Sequence, residues 1–323
     1  MKDVLVPRRR ISAAVALAAA LAATLVVSVA PAGARNTRAT AVGLYCNPVA
    51  TQGAELFDSL AKLGLAATTA RGNIERERSL GQAHAHAPKT ANTKPSSSIT
   101  IPTWMHVVSP DGVVGNVSDK AIRAQLQVFN LAYAGFYGGA ATPFRFELAG
   151  VTRSVNEAWY LVETQAAEDE MKQTLKQGGA DTLNVYINTA GANLGWAYYP
   201  SVVGTSFEYL DGIVLDWESM PGTSSRYAGQ YDLGHTLTHE SGHWLNLAHT
   251  FDGGCSAGGD GIDDTPSERT PTSGCPEGKD TCAGKPGLDP IHNYLDYSFD
   301  ACYSEFTPGQ TSRMFDAWSF WRA

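Results

Sequence analysis

The stretch His239-Glu240-Ser241-Gly242-His243-Trp244-Leu245-Asn246-Leu247-Ala248-His249 constrains this chain more than any other. On a helix, His239 and His243 stand at i and i+4, so both rings leave one face about one turn apart and can grip a single ion. Glu240, beside the first ring, can reach a water on such an ion without taking a coordination position, as a general base must. His249 lies too far along for a third ligand on a straight helix. The chain therefore has to stop winding after Leu245 and turn back at position 246, where a left-handed residue is the ordinary solution. His235 shares the face of both rings, but only His239 and His243 enclose a glutamate, so His235 reads as a core or supporting histidine.

The segment resembles the long zinc motif HExxHxxGxxH of the metzincin metallopeptidases. Trp244, Thr250-Phe251 and the Asp263-Asp264-Thr265-Pro266 run are similar to the pappalysin branch, which includes secreted microbial metalloproteases. The resemblance covers residues 98–323 and is strongest over 233–310. It implies an α+β fold: a metzincin-like catalytic domain whose mixed twisted sheet carries a backing helix and an active-site helix, followed by an irregular, disulfide-stapled C-terminal subdomain. It also implies a secreted zinc-dependent endopeptidase made as a zymogen, with Zn2+ on His239, His243 and His249. Glu240 would be general base to the attacking water and then acid to the leaving amine.

Two positions depart from the pattern. Asn246 stands where the motif has Gly; asparagine is the next best left-handed residue. Leu295, in Asn293-Tyr294-Leu295-Asp296-Tyr297, stands where the similar Met-turn segment has methionine, and its volume and apolarity suit the same packing role. Tyr297 matches a family tyrosine whose hydroxyl approaches the metal and helps to stabilise the oxyanion, with an ordinary core tyrosine as the alternative. Some relatives prefer a basic residue after the cut, using an acidic pocket floor near this turn, and Asp300 lies in that neighbourhood. The two departures keep a second reading open, a secreted zinc-binding or adhesion module with a decayed protease site. The retained Glu240 argues against it.

Three segments are expected along the 323 residues. Lys2 and Arg8-Arg9-Arg10, an apolar run over 11–30 and Ala32-Gly33-Ala34 read as a secretory signal at 1–34, cleaved after Ala34, with a retained anchor as the alternative. Residues 35–97 carry eight Lys/Arg against four Asp/Glu, whereas 98–323 carry twelve against twenty-seven. A basic prosegment resting as an inhibitor on an acidic catalytic domain at 98–323 fits that division, and the acidic domain is a poor partner for nucleic acid. His84-Ala85-His86-Ala87-Pro88 and the Ser/Thr/Pro tract after it read as a protease-sensitive linker. No further apolar run is long enough to span a membrane, so the mature form is expected to be a secreted, extracellular monomer acting on protein or peptide substrates.

Cys46 is the odd one of five cysteines. Its thiolate can fill the open zinc position as a latency ligand, the alternatives being a free thiol or an intermolecular disulfide. The even set Cys255, Cys275, Cys282 and Cys302 in an exported chain predicts two disulfides with three possible pairings. The resemblance implies Cys255 with Cys282 and Cys275 with Cys302. Asp260, Asp263, Asp264 and Thr265 put hard oxygens on a Gly-rich loop, which suits Ca2+ or a solvated acidic turn. Strands are predicted over 99–108, 144–151, 181–188 and 212–217, and helices over 119–133, 166–177 and 232–246. A last helix, capped by the segment Phe306-Thr307-Pro308-Gly309-Gln310, is expected to pack Met314, Phe315 and Trp318.

Overall fold

The computed structural model describes residues 98–323 apart from 192 and 257, and the backbone of 44–46. The expected leader at 1–34, the rest of 35–97 and the Cys46 side chain lie outside the described residues.

The strands are β1 (Leu44–Cys46), β2 (Ile99–Ser109), β3 (Phe144–Val155), β4 (Leu183–Asn188), β5 (Gly195–Ala197) and β6 (Ile213–Asp216). They form one mixed sheet in the order β1-β5-β6-β4-β2-β3. β3, β2, β4 and β6 run parallel, and β5 is antiparallel to both β6 and β1. The central strands β4 and β6, Leu-Asn-Val-Tyr-Ile-Asn and Ile-Val-Leu-Asp, are buried at every residue. That is how a parallel strand covered on both faces reads in sequence.

The helices are α1 (Asp119–Tyr133), α2 (Glu157–Leu161), α3 (Gln165–Leu175), α4 (His235–Trp244) and α5 (Pro308–Ala317). One core joins Met105, Phe129, Val185, Leu215, Leu237, Trp244 and Leu295 between the sheet, α1 and α4, and takes in Met314 and Trp318 from the C-terminal helix. The opposite face packs Met171, Tyr186, Trp196, Tyr198 and Val214 under α2 and α3. Ser118 caps α1 through the Ala121 N–H, and Thr307 with Gln310 closes a capping box on α5.

Differences from the predicted elements have local causes. The helix predicted over 232–246 begins at His235 because Gly234 adopts φ 91° and closes its start. Asp300 Oδ2, from the chain after Leu295, accepts the N–H groups of Leu233 and His235 at 2.8 and 3.3 Å and so serves as the missing cap. At the other end, Arg322 donates to the Trp244 carbonyl at 3.1 Å, pairs with both oxygens of Asp211 at 2.9 and 3.0 Å, and lies 3.6 Å above the Trp244 ring. Tyr133 on α1 meets Ser241 at 2.7 Å. These contacts fix α4 at both ends and along one side.

Candidate metal centre and active site

At the end of α4 the chain reverses where the histidine spacing requires it. Asn246 takes φ 76°. The Leu247 N–H donates to the Gly242 carbonyl and the Asn246 N–H to that of His243, both at 2.9 Å. These are the paired bonds of a Schellman helix end, and asparagine is among the few residues that tolerate its left-handed position.

The reversal brings three imidazoles together. Nε2 of His243 stands 3.1 Å from Nε2 of His239 and 3.1 Å from Nε2 of His249. Tetrahedral nitrogens on zinc, bonded at about 2.1 Å, would sit roughly 3.4 Å apart. His239 and His243 face the Tyr294 and Leu247 carbonyls through Nδ1 at 2.6 and 2.7 Å. A carbonyl can only accept, so Nδ1 carries the proton and Nε2 keeps its lone pair. His249 differs: its Nδ1 faces Asp252 Oδ2 at 3.3 Å, and the same oxygen accepts its backbone N–H at 3.0 Å. Burial, reinforced by the neighbouring histidines, holds the His239 imidazole well below its ordinary range. Converging lone pairs in a buried site repel one another unless a cation lies among them, so the donor set fits zinc with one position left open.

Glu240 is fully buried and lines a cleft with Leu194, Tyr231, Thr236, His239, Tyr297, Asp300 and Tyr303. β5 presses against it: a β-carbon on Gly195 would come within 3.0 Å of Glu240 Cγ and 2.8 Å of the Val214 carbonyl, so glycine alone lets the strand lie there. The Tyr297 hydroxyl is 3.3 Å from His249 Nε2. Leu295 is buried under the helix, and a β-carbon on Gly242 would reach 2.9 Å from its Cδ2, so Gly242 makes the room that Leu295 fills. His235 packs between the Tyr137 and Tyr294 rings, at 5.1 and 5.3 Å. It lies outside the histidine trio, and burial pushes its pKa down to about 4.

Elsewhere the expected groups divide. Cys255 bonds to Cys282 and Cys275 to Cys302, the pairing the resemblance implied. The acidic loop does not gather its four oxygens. Asp264 accepts from Thr307 Oγ1 and the Gly309 N–H at 2.7 and 2.8 Å, and Asp263 is exposed. Asp260 is half-buried beside the buried Thr265, and desolvation raises Asp260 to about 7. Sequence reasoning missed Asp252 and Gly195. Asp252 acts only across the reversal at Asn246, and Gly195 lies in a strand too short to show a period.

Comparison with known proteins agrees with this geometry. A family model described as pregnancy-associated plasma protein-A, a peptidase family, matches residues 150–319. An extracellular metalloprotease of Colletotrichum graminicola is 39% identical over 256 residues, covering 78% of this chain and 87% of the relative. Another, from Pyricularia oryzae, is 43% identical over 231 residues, 70% of this chain and 77% of the relative. Mature mirolysin of Tannerella forsythia, solved with a cleaved peptide, has 30% identity and a TM-score of 0.58 over 68% of this chain and 91% of that one. A promirolysin mutant has 26% identity and a TM-score of 0.59 over 81% and 91%. The chain belongs to the pappalysin family of metallopeptidases, and it is a metalloendopeptidase with a metzincin-like α+β fold.

Proposed function

We propose that the chain is a secreted zinc endopeptidase made as a latent precursor, with a leader at 1–34, a prosegment at 35–97 and the peptidase at 98–323. The observation that carries this reading is the convergence of three Nε2 atoms beside the buried Glu240. His239, His243 and His249 would hold zinc, which would supply an acidified water and polarise the scissile carbonyl. Glu240 takes the proton of that water as it attacks and delivers it to the departing amine. Tyr297, whose hydroxyl lies 3.3 Å from His249 Nε2, would donate to the oxygen on which charge develops. No helix among the described residues is long and apolar enough to cross a membrane, and the relatives are named as extracellular. Removing residues 1–97 and assaying casein cleavage, with and without a chelator, tests the reading. Full activity in chelator would sink it.

Cys46 is the proposed latency ligand, supported by the pairing of β1 with β5, which sets its backbone opposite Gly195, the residue under Glu240. Cys46→Ala is expected to raise the activity of uncut precursor, and unchanged latency would remove the thiolate from the account. Asp300 suits a basic side chain after the cut: it lines the cleft with Glu240, and its Oδ1 is buried without a hydrogen bond. Calcium is proposed at Asp260 and Thr265, whose buried Oδ2 and Oγ1 face each other as hard oxygen donors. A melting temperature unmoved by calcium in wild type and in Asp260→Asn would exclude it.

A further inference from the structure

Strand β5 is held from behind by a buried carboxylate. Its residues alternate: Gly195 and Ala197 face α4, while Trp196 and the following Tyr198 enter the core under α3. Glu168 on α3, only 4% exposed, accepts the Trp196 indole N–H at 2.9 Å through Oε1 and the Tyr198 hydroxyl at 3.2 Å through Oε2. Lys172, one turn along and fully buried, reaches Glu168 Oε1 at 2.9 Å and the Leu210 carbonyl at 2.8 Å. Its ammonium also lies 4.5 Å from the centre of the Tyr198 ring.

Burying such a pair is a poor way to gain stability, since apolar side chains of similar volume do as well or better. Register is a different matter. A three-residue strand has few ladder bonds to fix it, and a slip by one residue would turn the Trp196 indole toward Glu240. Two donors on alternate residues meeting one carboxylate permit a single register.

We propose that Glu168, supported by Lys172, is a positioning residue for peptide hydrolysis: it sets the register and depth of β5, and through the bare Cα of Gly195 the place of the Glu240 carboxylate. The inference rests on Glu240 being the base.

Two double variants separate positioning from stability. Glu168→Leu/Lys172→Met fills the site with apolar groups and removes both acceptors facing β5. Glu168→Gln/Lys172→Met removes the charges but keeps two polar atoms toward Trp196 and Tyr198. Both are compared with the secreted wild-type chain at equal zinc content, well below their melting temperatures. The Leu/Met variant is expected to melt at or above wild type yet to lose on the order of tenfold in kcat, while the Gln/Met variant stays within about threefold. A folded Leu/Met variant turning over at the wild-type rate overturns the proposal, as does an equal loss in both. Should Leu/Met fail to fold, Trp196→Phe/Tyr198→Phe removes the two donors and keeps the rings, and an unchanged kcat there overturns it equally. Glu240→Ala is run alongside: activity in that variant would remove the base on which the proposal rests, a failure separable from one in β5 alone.

Discussion

Asn246 carries the turn that brings His249 beside the other two imidazoles, and its left-handed φ sets the cost of replacing it. Asn246→Gly relieves that conformation and is expected to leave the melting temperature level or higher. Asn246→Ala is expected to cost about 1–2 kcal/mol, read by denaturant unfolding of the zinc-loaded protein. The requirement for a turn was legible from the histidine spacing, because 3.6 residues per turn cannot bring His249 back otherwise. The partner of His249 was not legible. Two of the three histidines lean on neutral carbonyls and the third on the Asp252 carboxylate, a contact that exists only once the chain has reversed. Asp252→Asn keeps an acceptor for the His249 N–H but removes the charge, and zinc affinity is expected to fall about tenfold, measured by chelator competition. An unchanged affinity would make Asp252 a loop residue only.

Long elements with clear periods were legible, and so was the short β6, predicted over 212–217 and found at Ile213–Asp216, but the three-residue β5 was not. Ser118 and the apolar spacing after it marked α1 within a residue, whereas Gly-Trp-Ala carries no period from which β5 could be read. Yet β5 forms one wall of the site. Gly195→Ala would push a methyl between Glu240 and the Val214 carbonyl, and kcat/KM is expected to fall at least tenfold without loss of zinc. The extent of α4 was overestimated at both ends, since Gly234 and the Asp300 cap bound its start and the Schellman bonds end it. The packing role of Leu295 was implied by the Met-turn resemblance, its volume being suited to keep it, and the structure supplies the matching gap at Gly242. Leu295→Met is therefore expected to shift stability by less than about 1.5 kcal/mol in a thermal melt.

Across the whole molecule, the sequence separated a periodic first half from an irregular, stapled second half, and its cysteine count foresaw two disulfides. Through the family resemblance it also anticipated that Leu295 and Tyr297 come back to the histidines, but not that Asp300 caps α4 or that Arg322 closes its far end. Leu295, Tyr297, Asp300 and Arg322 all come from beyond the three histidines and touch α4, its histidines or its cleft, contacts set by tertiary packing rather than by spacing. The return also predicts a pH dependence. Burial raises the Asp300 carboxyl to about 7, so it is charged above that pH and neutral below it. A peptide with arginine after the cut should lose affinity as pH falls through about 7, relative to one with norleucine, and Asp300→Asn should abolish the difference. The central claim is that zinc and Glu240 divide the chemistry, one holding and polarising, the other moving the proton. Zinc content and peptide turnover measured together for wild type and Glu240→Ala test it most directly. The account predicts one zinc in each and a loss of at least about a thousandfold in kcat for the variant. Equal turnover at equal zinc would contradict it.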